Sequence, residues 1–390
     1  MVVAQVALAL VLLVGSGLMI RSFVAMRAID PGFASEDRLT FRVSLPSAEY
    51  PDALASTQFH RSLQEQLSAI PGVRAAALIS ALPLEETKSA GPMEAEDNPM
   101  PEGELGSMVD RRSISPGYFA AMEIAMVDGR ELTWEDGADG SRGVVVNETL
   151  ARTFWPGESA VGRRIRSQGE ELGWEVVGVA GNVRFEEIEE EPNPLIYLPL
   201  TQGSDSTLVA VRSVAAVIHV GSDPLSMVAA TRAALTAVDS RLPLVAPRTV
   251  ESIVDDSMAA ISFTVVLLGI AAGIALLLGT VGIYGVVSYV VSRRTQEIGV
   301  RMALGAPAGL VLRDVIGQGM VLTGMGLAVG LLGAWGISRV LASLLYGVSA
   351  TDPLTYGGTA LALALVAMLA SWIPARRAAG VDPVEALRNE

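Results

Sequence analysis

Four long apolar segments divide the chain. They cover Val2 to Ile20, Ile261 to Val291, Met320 to Leu345 and Tyr356 to Ile373, and their central parts carry no charge. A helix of about 20 apolar residues crosses a hydrocarbon core of roughly 30 Å. The pattern therefore predicts four membrane spans, one before and three after a long region of mixed polarity.

The first segment has a second interpretation, a removable signal peptide. Such a peptide normally has a basic start and a small-residue cleavage motif, and neither precedes Arg21 here. A retained span is therefore the prediction. Because the apolar run begins at the first residue, the sequence leaves open that an upstream portion is missing.

These spans predict a division of the whole chain. It consists of a first span at 1–22, an extracytoplasmic domain at 23–258, a second span at 259–291, a linker at 292–315, a third span at 316–346, a short loop at 347–355, a fourth span at 356–374 and a tail at 375–390.

The arginines predict the orientation of the spans. The linker and the tail are rich in arginine, whereas the loop 347–355 has neither lysine nor arginine. Positive charge favours the cytoplasmic side, so the linker and the C-terminus are expected there and the long domain outside. Arg21 and Arg27 oppose this orientation locally, but long translocated domains largely escape the rule.

Period-two and period-3.6 patterns in the long domain predict an α+β subdomain built from its two ends. The first end has strands at Arg38–Pro46 and Val73–Ser80 around a helix at Phe59–Ile70. The second end has strands at Thr207–Arg212, Ala216–Val220 and Leu244–Val250 and a helix at Pro224–Val238.

A β-rich insert at about 107–200 is predicted between these two ends. Its elements are strands at Val144–Asn147, Arg164–Ser167 and Trp174–Val179 and a helix at Glu148–Phe154. The stretch Leu84–Gly106 is rich in Pro, Gly and acidic residues, so it is predicted to be a mobile loop.

Composition then excludes several kinds of chemistry. The chain is 51% hydrophobic with a mean hydropathy of +0.44, which indicates a membrane protein, and it has no cysteine for a disulfide, a thiol nucleophile or a thiolate metal site. The single lysine, Lys88, does not lie in a phosphate-binding Gly-Lys-Ser/Thr motif. The net charge of −14 argues against nucleic-acid binding.

No catalytic, cofactor or metal site emerges from the sequence. Neither Gly-x-Ser-x-Gly nor His-Glu-x-x-His is present. His60 and His219 are interpreted as ordinary structural residues. The acidic run Glu186–Glu191 is interpreted as a solvated face, because it lacks the spacing of a calcium loop.

The linker contains a short amphipathic helix. In the stretch Ser292–Ala306, Glu297 and Arg301 lie one turn apart, and Ile298 and Met302 share the apolar side. A short helix between two spans buries little surface alone, so it is expected to lie at the membrane interface or to dock on a partner.

Glycines in the spans form two GxxxG patterns, Gly269 with Gly273 and Gly326 with Gly330. Small residues allow close helix packing in lipid. They predict helix–helix contacts, within the chain or between copies, although glycine is also simply common in membrane helices.

Five stretches together resemble the FtsX-like/MacB-like family of ABC-transporter permeases. They are the linker RTQEIGVRMALGA, the tail PARRAAGVDPVEALRNE, and SPGYFAAMEI, VVVNETLARTFWPGESAVGRRI and WEVVGVAGNVR in the long domain. The finer match is to duplicated permeases of acidobacteria that carry two such units. The resemblance implies an α+β membrane protein with one plus three transmembrane helices around a MacB-type periplasmic core domain, in the bacterial inner membrane.

The resemblance also implies how the chain works. A cytoplasmic ABC ATPase dimer would bind ATP, so this chain would need no cofactor, and the spans would carry the ATPase movement to the periplasmic domain. The linker would be the coupling helix, with contacts from Arg293, Arg294, Glu297, Ile298, Arg301 and Met302. The alternative is that Glu297 and Arg301 form only a weak intrahelical pair, while the arginines bind anionic lipid.

Partners and rival functions follow from the same resemblance. The expected partners are the ATPase, the bilayer and a second permease copy or homologous half, with a membrane fusion protein and an outer-membrane channel as further candidates. The leading function is export of an unidentified substrate. The rivals are a non-transport activator of a periplasmic partner such as a cell-wall hydrolase, an inactive fragment of a duplicated permease, and a periplasmic enzyme, which the missing motifs disfavour.

Overall fold

The computed structural model describes residues 1–85, 89–99, 101, 105–137, 142–169, 173–200, 211–304, 307–342 and 345–379. The chain forms two compact units. The membrane unit combines Met1–Ala28 with Ala259–Glu390, and the core domain is Ile29–Met258.

The helices are α1 (Val2–Arg27), α2 (Ala53–Ser68), α3 (Tyr118–Met122), α4 (Glu148–Phe154), α5 (Val228–Val238), α6 (Val250–Ser257), α7 (Ala259–Arg293), α8 (Thr295–Ala303), α9 (Ala308–Leu341) and α10 (Pro353–Ala379). The strands are β1 (Arg38–Ser44), β2 (Val73–Ile79), β3 (Ala90–Ala95), β4 (Ser107–Ile114), β5 (Met126–Gly129), β6 (Gly143–Asn147), β7 (Arg164–Ser167), β8 (Trp174–Ala180), β9 (Leu195–Pro199), β10 (Ser213–Val220) and β11 (Val245–Thr249).

Among the described residues, α1, α7, α9 and α10 are long and apolar enough to span a membrane. α7 and α9 have 35 and 34 residues, which exceeds the ~20 that a bilayer core needs. Both helices therefore extend beyond the apolar layer. α9 begins at Ala308, so part of the predicted linker belongs to this helix.

The first helix is the centre of the membrane unit. α1 contacts α7, α9 and α10. Half of the residues in the most apolar 18-residue stretch of α1 are buried, compared with 11% in the corresponding stretch of α7. Val6, Leu10, Val14 and Leu18 are completely buried on it. The four helices therefore form a bundle packed around α1.

Polar contacts join α1 to the α9–α10 loop. Arg21 forms an ion pair with Asp352, and the Oγ of Ser22 accepts a hydrogen bond from the backbone N–H of Tyr346 at 2.8 Å. Asp352 also accepts the backbone N–H of Thr355 at 2.8 Å, which caps α10. The ion pair neutralises the Arg21 charge that opposes the orientation rule.

Near the C-terminal end of each spanning helix, an arginine stacks over an aromatic ring four residues earlier. The distances from guanidinium carbon to ring centroid are 5.5 Å for Arg27 on Phe23, 5.2 Å for Arg293 on Tyr289, 3.9 Å for Arg339 on Trp335 and 5.6 Å for Arg376 on Trp372. Aromatic rings and arginine stems favour the headgroup level. These pairs therefore mark the two membrane interfaces.

The two ends of the core domain form one antiparallel sheet in the order β11-β1-β10-β2. Helices α2 and α5 cover one face through a buried cluster that includes Phe41, Leu63 and Leu235. This βαβ–βαβ arrangement has the order of a ferredoxin-like fold. Strands from both ends of the domain therefore lie next to one another in this sheet.

The insert is a small closed barrel. Its strands pair in the ring β4-β3-β7-β8-β6-β9, and β9 returns to β4 in parallel. Val109, Val144, Ile165 and Trp174 belong to its buried core. The barrel includes β3 at Ala90–Ala95, so it begins further towards the N-terminus than the insert predicted at about 107–200.

One prediction in the core domain differs from the structure. The stretch Leu84–Gly106 was predicted to be a loop, but Ala90–Ala95 forms β3. Glu94 on β3 pairs with Arg166 on β7 at 2.7 Å, so the acidic residues that suggested a loop face a row of arginines. The strand predicted at Thr207–Arg212 falls mostly outside the described residues.

One helix in the core domain begins earlier than predicted. α2 starts at Ala53, because Asp52 accepts the backbone N–H of Ala55 at 2.8 Å and caps the helix. The hydrophobic pattern marked only its buried half, from Phe59 onward.

Candidate functional site

The short helix α8 lies between two membrane helices and is the strongest candidate for a functional site. The break from α7 falls at Arg294, whose backbone leaves the helical region, and α8 starts at Thr295. The Oγ1 of Thr295 donates to the carbonyl of Val291 at 3.1 Å. The predicted amphipathic helix is therefore present, and the start of α8 is tied to the end of α7.

The polar side of α8 carries a three-residue ion cluster. Glu297 lies 2.5 Å from Arg301 and 3.9 Å from Arg294, and about half of each side chain is exposed. Exposed pairs of this kind contribute only about 0.2–0.5 kcal/mol each. The cluster therefore adds little stability and can exchange its partners at small cost. Arg293 lies apart from it, stacked on Tyr289.

The apolar side of α8 packs within the chain. Ile298 is 9% exposed and Val311 on α9 is 7% exposed, and Met302 packs beside them. The resemblance implied that Ile298 and Met302 face an ATPase, whereas the structure places them against α9. They anchor the helix here, and direct contact of these two residues with an ATPase stays a prediction.

Other apolar side chains at this end of the bundle are exposed. Leu304 is 84% exposed, Leu310 58% and Val300 43%. None of the three is among the coupling residues predicted from the sequence, because the helical period alone does not show which apolar side chains stay exposed. They are the apolar surface that a docking protein could cover.

A cleft of about 150 Å³ opens between α7, α8 and α9. Its apolar lining is Val290, Val291, Ile298, Leu310, Val311 and Val315, and its polar lining is Arg294, Glu297, Arg301, Asp314 and Gln318. The ion cluster of α8 therefore forms one wall of a partly apolar cavity.

The two GxxxG patterns have different surroundings. A Cβ at Gly330 would lie 3.0 Å from the backbone of Ala7, and one at Gly326 would lie 2.6 Å from the side chain of Val6. These glycines allow α9 to approach α1 closely. Gly269 lies only at the edge of such a contact, 4.0 Å from Ser16, and Gly273 has no described atom within 4 Å of a built Cβ.

Other close glycine contacts lie outside the two GxxxG patterns. Gly282 faces Gln5, Gly319 faces Ser371, and Gly333 would place a Cβ 3.2 Å from Val11. The contacts follow the helix crossings, which the sequence alone does not specify.

The core domain contains a buried histidine without a partner. His60 is 1% exposed, and neither ring nitrogen has a hydrogen-bond partner among the described residues. Burial lowers its pKa from 6.5 to about 4. This imidazole is therefore neutral at physiological pH.

The second histidine lies in a charged cluster. His219 is 3.9 Å from Glu123 and 3.4 Å from Arg74. Burial lowers its pKa first, and the neighbouring Arg38 lowers it further. Neither histidine, nor the run 186–191, belongs to a group of three or more metal-ligating side chains within the described part of the chain.

The geometry defines a class of protein: a membrane protein with one plus three spans, a large core domain between the first two, and a short interfacial helix. Two family models match the chain. The FtsX-like permease C-terminal model covers residues 269–383, and the MacB-like periplasmic core domain model covers residues 3–238. The second match alone includes more than half of the chain, so the chain belongs to the FtsX-like/MacB-like permease family.

Several curated proteins are similar. One is the macrolide export ATP-binding/permease protein MacB of Azoarcus sp., 26% identical over 71% of this chain and 42% of that protein. Another is the uncharacterized ABC transporter permease YvrN of Bacillus subtilis, 26% identical over 71% of this chain and 69% of that protein. The chain spans about two fifths of the length of the MacB relative.

The pyoverdine export ATP-binding/permease protein PvdT of Pseudomonas syringae is similar over a shorter region. The two sequences are 36% identical over 32% of this chain and 19% of that protein. Among solved structures, the periplasmic region of MacB from Actinobacillus actinomycetemcomitans matches with a TM-score of 0.38 and 15% identity, over 57% of this chain and 92% of that one.

Proposed function

We propose that this chain is the permease subunit of an inner-membrane ABC exporter and that a separate ATPase dimer docks on α8. The observation that carries this proposal is that the two sides of α8 have different surroundings. Its buried Ile298 anchors it to α9, while the ion cluster of Arg294, Glu297 and Arg301 stays exposed. A helix fixed on one side and charged on the other can receive a partner and pass on its displacement.

The packing of the bundle supplies a path for that displacement. Movement of α8 reaches α9 through Ile298 and Val311. α9 passes it to α1 through Gly326 and Gly330, where the two backbones approach closely. α1 leads directly into the core domain along the chain. Close-packed interfaces transmit displacement because they resist compression.

ATP would bind to the partner ATPase, and this chain would need no cofactor. The family match and the similarity to a macrolide export protein and a pyoverdine export protein support a role in export. The substrate is unidentified. A second permease copy would complete the pair that an ATPase dimer requires, with α8 and the C-terminus in the cytoplasm. A membrane fusion protein and an outer-membrane channel are further proposed partners.

Copurification with the ATPase tests the docking. The variant Glu297→Ala/Arg301→Ala should lose the ATPase while the chain still inserts into the membrane. The matched control is Arg61→Ala/Glu65→Ala, which removes another exposed i,i+4 pair, 3.8 Å apart in the core domain. Wild-type recovery of the ATPase with the α8 variant would overturn the proposal.

The same purified complex separates export from activation of a periplasmic partner. Stimulation of ATP hydrolysis by a transported compound supports export. Stimulation of a cell-wall hydrolase, with no compound affecting ATP hydrolysis, would support the activator function instead.

A further inference from the structure

The cleft beside α8 continues into an open groove along α9. The groove is a shallow, open strip along one face of α9, lined by Leu310, Arg313, Asp314, Gly317, Gln318, Val321 and Leu322. Leu310, Asp314 and Gln318 also line the cleft. The two cavities therefore form one continuous site, with charged groups at one end and apolar groups along the helix.

The charged end of this site lies at the headgroup level of the membrane. Tyr289 and Arg293 form the interfacial pair of α7, and the cleft residues Val290 and Arg294 follow them directly in the chain. The apolar end, at Val321 and Leu322, belongs to the spanning part of α9. A ligand that fills both ends must have a polar head and an apolar chain.

The charges of the site indicate the kind of head. Glu297 is engaged by both Arg294 and Arg301. Asp314 and Arg313 are exposed, and no salt bridge between described residues includes either of them. One carboxylate and one guanidinium on adjacent residues match an ammonium and a phosphate in one headgroup.

We infer that this site binds one phospholipid with a phosphoethanolamine headgroup. The ammonium pairs with Asp314, the phosphate lies near Arg313 and the arginines of α8, and an acyl chain follows the groove past Gly317 and Val321. The occupied site fills the space between α8 and α9, so the lipid couples the two helices. This proposal needs no ATPase, and its test uses the permease alone.

Native mass spectrometry of the full chain, purified into detergent and supplied with defined lipids, tests the assignment. Phosphatidylethanolamine should be retained over phosphatidylcholine, whose methylated ammonium cannot donate hydrogen bonds to Asp314. Asp314→Asn should reduce that preference about tenfold, the effect of losing one charge-assisted hydrogen bond. The charge control is Glu187→Gln on the core domain.

A second pair of variants tests the acyl groove. A Cβ at Gly317 or at Gly324 meets no described atom within 4 Å, but only Gly317 lines the groove. Gly317→Leu should place a side chain in the path of the acyl chain and abolish selective retention, whereas Gly324→Leu should retain the lipid as the wild type does.

Three outcomes would overturn the inference. They are equal retention of all phospholipids, preferential retention of phosphatidylglycerol, and selective retention that Asp314→Asn and Gly317→Leu both leave unchanged. The lipid comparison on the wild-type chain requires no variant, so a folding defect in one variant does not remove the test.

Discussion

Ile298 on α8 packs against Val311 on α9, and both side chains are less than 10% exposed. This contact joins the short interfacial helix to a spanning helix. It also leaves the ion cluster of α8 exposed on the other side.

Loss of that contact should release α8. Ile298→Ala removes most of a buried side chain from a small cluster and should destabilise the local packing by about 2 kcal/mol, the low end for such substitutions. Hydrogen exchange of the α8 amides should become faster, while exchange in the core domain should not change. Val300→Ala, at a position 43% exposed on the same helix, is the control. Equal protection of α8 in both variants would contradict the anchoring role.

The close approach of α9 to α1 predicts a sharp difference between glycines. Gly330→Ala places a methyl group 3.0 Å from the backbone of Ala7, so the helices must separate. Overpacking of this kind costs about 1–3 kcal/mol. Gly336→Ala, where nothing described lies within 4 Å, should be neutral. Thermal denaturation in detergent measures both. A Gly330→Ala variant as stable as the wild type would refute close packing at this seam.

The structure explains which glycine predictions could be made from the sequence. The period of the spans placed Gly326 and Gly330 on one face of α9, and that face contacts α1. The same rule placed Gly269 and Gly273 together on α7, but Gly273 has no neighbour within 4 Å in the described part of the chain. A GxxxG motif specifies a smooth face and not the helix that covers it.

The core domain shows the same limit in another form. Runs of apolar residues located β1, β2, β6 and β8, because side chains of these strands form the buried cores of the domain. The sequence pattern missed β3, because acidic residues in and beside it are typical of a loop. In the structure, Glu94 and Glu96 pair with arginines on β7. Cross-strand ion pairs depend on contacts distant in sequence, which one-dimensional patterns do not contain.

The buried His60 predicts a defined loss of stability in acid. Its pKa is about 4 in the folded chain and about 6.5 when exposed, so the unfolded state binds a proton first as the pH falls. The contribution of neutral His60 to the free energy of unfolding is therefore fully present above pH 6.5. It declines by about 3 kcal/mol as the pH falls towards 4. Chemical denaturation between these pH values, followed by tryptophan fluorescence, measures the decline.

His60→Leu should remove that share of the decline and leave the loss below pH 4, which belongs to paired carboxylates. Asp136 is one of these, because the hydrogen bonds from Arg130 hold its pKa below the usual value. An unchanged slope between pH 6.5 and pH 4 in the His60→Leu variant would rule out the assignment.

The orientation can be measured directly because the chain has no cysteine. Glu187→Cys on the core domain should react with an impermeant maleimide in intact spheroplasts. Gln296→Cys on α8 should react only after the membrane is opened. Labelling of the α8 cysteine in intact spheroplasts would reverse the proposed topology.

Contact between α8 and the ATPase can be tested by site-specific photocrosslinking in the membrane. A photoreactive phenylalanine at Leu304, which is 84% exposed beside the ion cluster, should capture the ATPase that copurifies with the wild-type chain. The same probe at Leu225, which is 53% exposed in the core domain, should not. Capture from Leu304 alone is the predicted result. Copurification of the ATPase without any crosslink from Leu304 would contradict docking at α8.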